Sequence, residues 1–151
     1  MGSCGVRHST MRSALPVWSN SWQNLWKHET ESGMAMEFEF VQGDPITEEA
    51  AIAEAKELGL HAFAFDTDTQ HDTDLHWHEF SATIWLVSGE ANVATEDGTV
   101  YHATPGCRLR APAGWLHKEL VSPAHRLVIG TDIPVESWSQ PIDKPPAELS
   151  V

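Results

Sequence analysis

The chain is short of cysteine, short of basic residues and without a long apolar run, and each shortage narrows what it can be. Its two cysteines, Cys4 and Cys107, lie far apart and make no CxxC or finger pattern, so neither a disulfide framework nor a zinc ribbon is indicated. Lys and Arg number nine against 22 Asp and Glu, a formal net charge of −13 with neutral histidines. Phosphate neutralisation needs clustered Lys and Arg, so neither nucleic acid nor an anionic membrane is an expected partner. The acidity reads as a solubility device. No apolar stretch reaches bilayer length, and the first thirty residues, though they hold Arg7 and Arg12, lack the uninterrupted apolar core of a signal peptide. A reducing cytoplasm is the expected compartment. What is present, 151 residues of which 41% are hydrophobic, suits one compact domain with its own core.

Residues 1–35 read as an N-terminal extension, rich in Ser and Asn and without strand alternation. Trp18, Trp22 and Trp26 recur every four residues beside Leu25, which on a helix makes one aromatic stripe. Such a stripe docks a partner or second subunit, or packs on its own domain; alternatively the segment has no role and Met34 or Met36 is the natural start. Residues 36–133 form the expected domain. Residues 134–151 form a tail rich in proline (Pro134, Pro141, Pro145, Pro146), expected to run across the surface.

Within the domain, Met36–Gln42 alternates as a strand, and Thr47 opens a helix as N-cap, with Glu48 and Glu49 in its first turn and Gly59 as its stop. From Leu60 the period becomes two. Strands are predicted at His61–Phe65, Leu75–Phe80, Ala82–Ser88, Glu90–Thr95, Thr99–Ala103, Cys107–Ala111, Leu116–Val121 and Arg126–Thr131, separated by Gly, Pro and Asp turns. Asp66–Asp74 is a polar loop whose aspartates lack the spacing of a calcium loop. The pattern is all-β, a sandwich or a closed barrel with one short helix.

The chemistry lies in three histidines. His76 and His78, two residues apart on a predicted strand, face the same way, and His117 comes from another predicted strand. Neutral imidazole is the commonest protein ligand for zinc, copper, iron and nickel. Glu79 should point away from them by parity. Glu119 shares the face of His117, either as a general acid/base and supporting partner of the site or as an exposed carboxylate beside Lys118. Phe80, Ile84 and Leu86 continue the inward face, with Leu109, Ala111 and Val121 nearby, predicting an apolar cavity. Trp85 and Trp115 are expected in packing and rim positions, and His102 and His125 either line the cavity or are surface or internally satisfied residues. The face of Tyr101 is not set by the sequence.

Taken together, His76, His78, Gly89, Gly106, Pro112, Gly114 and His117 resemble the two motifs of the cupin superfamily, G(X)5HXH(X)3,4E(X)6G and G(X)5PXG(X)2H(X)3N. HWHEFSATIWLVSG matches the first from its paired histidines to its closing glycine, and GCRLRAPAGWLH matches the second through its histidine. The resemblance covers about residues 60–131. Three positions depart: Ala82 stands at the acidic ligand position, Gln70 at the leading glycine and Val121 at the final asparagine.

The resemblance implies a jelly-roll β-barrel, a homodimer and one divalent metal ion held by His76, His78 and His117. Iron is the expected metal, with zinc, nickel, manganese or copper as alternatives. Three neutral imidazoles leave the ion's charge uncancelled, so a small anionic organic ligand is the expected partner. Phe80, Ala82, Ile84, Trp115 and Val121 would line its pocket, Ala82 giving room, and Glu119 would move a proton. Three-His cupin centres of this kind occur in thiol and diketone dioxygenases, which makes a dioxygenase-like enzyme or one of enolate and acid chemistry the expected function. The alternatives are a non-enzymatic ligand-binding or sensory module and a structural metal-bound dimer.

Overall fold

A computed structural model describes residues 36–150; the Trp18, Trp22 and Trp26 stripe and Cys4 lie outside the described residues. The elements are β1 (Glu39–Gln42), α1 (Glu48–Glu57), β2 (His61–Thr67), β3 (Ala82–Ser88), β4 (Ala91–Thr95), β5 (Val100–Ala103), β6 (Cys107–Ala111), β7 (His117–Glu119) and β8 (His125–Thr131), followed by single 3-10 turns at Val135–Ser137 and Pro146–Glu148.

Helix α1 starts where the hydroxyl of Thr47 accepts from the Ala50 N–H at 3.2 Å, and it ends at Gly59, whose φ of 74° no β-carbon favours. Its alanines Ala51 and Ala55 are fully buried, and small side chains let the helix lie close on Trp85 and Val128 of the sheet below. Trp85 is thus a core residue, its indole N–H donating to Glu54 at 2.9 Å while Arg108 pairs with the same carboxylate at 2.8 Å.

The strands form a five-stranded sheet, β1-β6-β3-β8-β2, and a three-stranded sheet, β5-β4-β7, both antiparallel. Alternation along β3 puts Trp85 beneath the helix, and Ala82, Ile84 and Leu86 on the opposite face, which lines a cavity. The described residues are therefore mostly β with one helix, as expected. The ladders do not close into a barrel: between the sheets run only isolated bridges, Gln70 to Ser122, His76 to His117 and Trp77 to Lys144. The expected strand Leu75–Phe80 shrinks to the last two of these bridges because its residues pair in different directions, His76 with β7 and Trp77 with the tail.

Both motif glycines sit where the backbone is crowded. Gly89 has a φ of 79°, and a β-carbon there would lie 2.5 Å from the carbonyl oxygen of Ala124. Gly106, at 94°, would drive a β-carbon into the carbonyl of Asp44.

The tail runs across the surface, most of its residues exposed, but is tied down at defined points. Trp77 exchanges main-chain hydrogen bonds with Lys144 at 3.0 and 2.9 Å, and its indole donates to the Pro145 carbonyl at 2.9 Å. Glu79 accepts from the N–H and hydroxyl of Ser139, and the buried Lys144 ammonium donates to the Ser139 hydroxyl at 2.9 Å and the Pro141 carbonyl at 2.8 Å. Trp138 stacks on Phe80 with ring centroids 4.1 Å apart. Proline runs carry few local hydrogen bonds, so the segment takes its partners from the sheet.

Candidate metal centre

His76 and His117 are fixed by a reciprocal pair of main-chain hydrogen bonds, 2.9 and 3.0 Å, that places their side chains together; His78 follows two residues on, its carbonyl held by Gly114 N–H at 2.9 Å. One ring nitrogen from each of His76, His78 and His117 lies within 4.8 Å of the others. The other nitrogen is committed in every ring. Nδ1 of His76 donates to the Asp74 carbonyl at 2.8 Å, that of His117 to the Trp115 carbonyl at 2.9 Å, and that of His78 to the Ile142 carbonyl at 3.1 Å. A carbonyl can only accept, so this bonding assigns the hydrogen to Nδ1 and the lone pair to Nε2 in the neutral rings.

Nε2 of His76 is buried without a hydrogen-bond partner. Such an atom costs about 1–3 kcal/mol of lost hydration, and a cation among the three lone pairs would recover it. Three imidazoles with fixed tautomers and open Nε2 atoms fit a divalent ion.

Two carboxylates join them. Glu119 brings Oε2 to 3.5 Å from His76 Nε2 and Oε1 to 3.8 Å from His117 Nε2, distances of an ion pair rather than a hydrogen bond. Thr73 donates its hydroxyl to Glu119 at 2.6 Å and accepts the Glu119 main-chain N–H at 2.9 Å. Asp143, from the tail, stands 3.8 Å from His76 Nε2 and 3.6 Å from His78 Nδ1. Ala82, at the acidic position of the motif, is buried in the cavity wall, and the carboxylates near the imidazoles come instead from β7 and from the tail. Glu79 lies away from the imidazoles and holds Ser139 instead.

The electrostatics divide the histidines. Burial opposes charge on His76, but the Glu119 carboxylate and the Asp74 carbonyl outweigh it and lift its pKa to about 9. Burial prevails at His117, pushing it down to about 4 despite the Trp115 carbonyl and Glu119. Glu119 resists burial because His76 and Thr73 stabilise its anion, and falls to about 2.

His78 and His117 open onto a cavity of about 490 Å³ walled mainly by apolar side chains. Phe80, Ala82, Ile84 and Trp115 line it; Trp115 stacks between His117 and Phe38 at 4.5 and 4.4 Å. Val121 does not line it. The strand ends at Glu119, and Val121 is 61% exposed, its N–H donating to Asp72. Tyr101 packs on Phe38 and Phe40, and exposed His102 bonds Asn92. His125 is buried against the cavity.

Sequence reasoning missed Thr73, Trp138, Ile142 and Asp143. Only Trp138, a large aromatic in a polar, proline-rich tail, carried a signal: apolar area of that size needs a surface to cover.

The chain is similar to several solved structures. A DUF861 family protein from Thermotoga maritima shares 18% identity, with 62% of this chain and 97% of that one covered and a TM-score of 0.46. A cupin-2 domain containing protein from Shewanella frigidimarina shares 16%, over 45% and 65%, with a TM-score of 0.39. DMSP lyase DddQ from Ruegeria pomeroyi shares 20%, over 47% and 37%, with a TM-score of 0.41. No family model and no curated protein matches the chain. The three histidines of the motif-like stretches are brought to one point by the fold.

Proposed function

We propose that the chain is a cupin of the jelly-roll type that holds one divalent metal ion with His76, His78 and His117 and acts on a small organic acid, thiol or ketone. The observation that carries this reading is the buried Nε2 of His76, without a hydrogen-bond partner, among three imidazoles whose Nδ1 atoms are already bonded. Iron is the first candidate, with zinc, nickel, manganese and copper behind it. When bound, the ion supplies Lewis acidity and, if iron, a site for dioxygen.

The protein's own residues do the rest. Glu119 is placed to balance the ion's charge as a ligand or to move a proton at the substrate atom nearest Oε1, and Thr73 fixes its orientation. Phe80, Ile84 and Trp115 exclude water and orient the apolar part of the substrate, and Ala82 leaves space beside it. A homodimer remains part of this proposal, tested by sedimentation.

The deciding experiment is metal analysis of protein purified without added metal, then oxygen uptake with ferrous iron and a panel of chelating acids, thiols and diketones. Oxygen consumption with one class supports the enzyme. Zinc content with no consumption by any of them turns the reading to a ligand-binding module or a structural dimer. His76→Ala and His117→Ala should each abolish stoichiometric metal, and retention in either defeats the centre.

A further inference from the structure

The metal centre occupies only one end of the cavity. Ala82 of β3 faces Ala111 of β6, next to the Pro112–Trp115 turn that leads to His117, and Phe80 packs on His78 at 5.1 Å, so this is the metal end. Four residues further along β3, Leu86 faces Leu127 of β8. At about 3.3 Å per residue those four steps span roughly 13 Å. The wall between is apolar: Ile84, Leu109, Ile129 and Leu127 all contribute.

His125 stands at the far end. It opens β8 opposite Thr67, and shares the inward face of Leu127 and Ile129 by strand alternation. The residue is 7% exposed. Its Nδ1 donates to the Pro123 carbonyl at 2.8 Å, the same carbonyl two residues back that fixes His76 and His117. Its Nε2 has no partner among the described residues. Among its polar neighbours, Ser122 accepts from Asn92 N–H and donates to the Leu120 carbonyl, each at 2.9 Å, and the Asn92 amide donates to the Val121 carbonyl at 3.0 Å, while Thr67 and Gln70 also line this end. A buried hydrogen-bond acceptor, fixed in tautomer and lining a mainly apolar cavity, is a recognition element rather than packing.

We propose that the cavity takes an elongated, apolar-bodied molecule with an anionic head at the metal end and a hydroxyl or N–H at the other, where it donates to Nε2 of His125. The proposal rests on the metal reading for the head group and on His125 alone for the distal group. It narrows the substrate class: a short polar acid would leave the tunnel and His125 unused.

The test compares 8-hydroxyoctanoate with octanoate on the zinc-loaded protein by calorimetry. The hydroxy acid should bind about tenfold more tightly, the worth of one net buried hydrogen bond. His125→Leu should erase or invert that preference, and His125→Gln, which keeps an acceptor, should restore part of it. Should His125→Leu not fold, the ¹⁵N shift of Nε2 in the unaltered protein gives the answer: it moves with 8-hydroxyoctanoate and stays with octanoate. Equal affinities for the two acids or an unmoved Nε2 would overturn the proposal. Pairing 1,8-octanediol with 1-octanol on metal-free protein separates the two readings. A preference for the diol that depends on His125 upholds the distal site even where zinc does not bind, whereas no preference rejects it even where zinc does.

Discussion

At the scale of single residues, Glu119 carries the most consequence. Sequence parity places it on the face of His117, and the fold brings it beside His76 as well, with Thr73 holding one oxygen. A carboxylate in that position lowers the electrostatic cost of gathering a divalent ion. Glu119→Gln, which keeps shape and removes charge, should weaken metal affinity about 10–100-fold and lower the metal-free melting temperature below pH 9, where the His76–Glu119 ion pair persists. Competition against a chelator of known affinity measures it; unchanged affinity would remove Glu119 from the ion's surroundings.

At the scale of elements, the tail and the turns matter. The tail supplies the Ile142 carbonyl that fixes His78, the Asp143 carboxylate and the Trp138 ring on Phe80, and Lys144 ties it down through Ser139 and Pro141. Lys144→Ala should loosen it, giving faster proteolysis after Trp138 and about tenfold weaker metal binding as His78 loses its orienting acceptor. Proteolysis that accelerates while metal affinity holds would show that the Ile142 contact is dispensable. The turn at Gly106 is stiffer. Gly106→Ala must place a β-carbon both at positive φ and against Asp44, so it should cost more than the roughly 1–2 kcal/mol of left-handed strain alone. Urea unfolding measures that cost.

For the molecule as a whole, the three coupled groups set a pH optimum of stability in the metal-free protein. His76, raised from 6.5 to about 9, favours folding fully below pH 6.5 and loses that contribution as pH rises through 9. His117, lowered from 6.5 to about 4, favours folding fully above pH 6.5 and loses it as pH falls through 4. Glu119, lowered from 4.5 to about 2, adds to the acid limb alone, its contribution present above pH 4.5 and lost toward 2. The melting temperature should therefore peak near pH 6.5 and decline on both sides. Metal takes the Nε2 lone pairs and displaces the His76 proton, so loading should flatten the alkaline limb and raise the melting temperature most at pH 8–9. A calorimetric series with and without zinc checks both statements; an alkaline limb that persists unchanged after loading would contradict them.

How much of this was written in the chain differs by range. The helix with its Thr47 cap and Gly59 stop, the inward alternation of Ala82, Ile84 and Leu86, the glycines of the crowded turns and the three imidazoles were legible, because caps, strand parity and positive φ are settled within a few residues. The unclosed ladders, the bridge in place of a strand at His76, the exposure of Val121, the Asp143 carboxylate and the contacts of the tail were not. Each depends on which distant segment offers the best hydrogen-bond partners and apolar cover, a competition decided among all segments at once in the folded chain. Local sequence thus chose the donor atoms, while tertiary packing decided the charge around them and the shape of what they face.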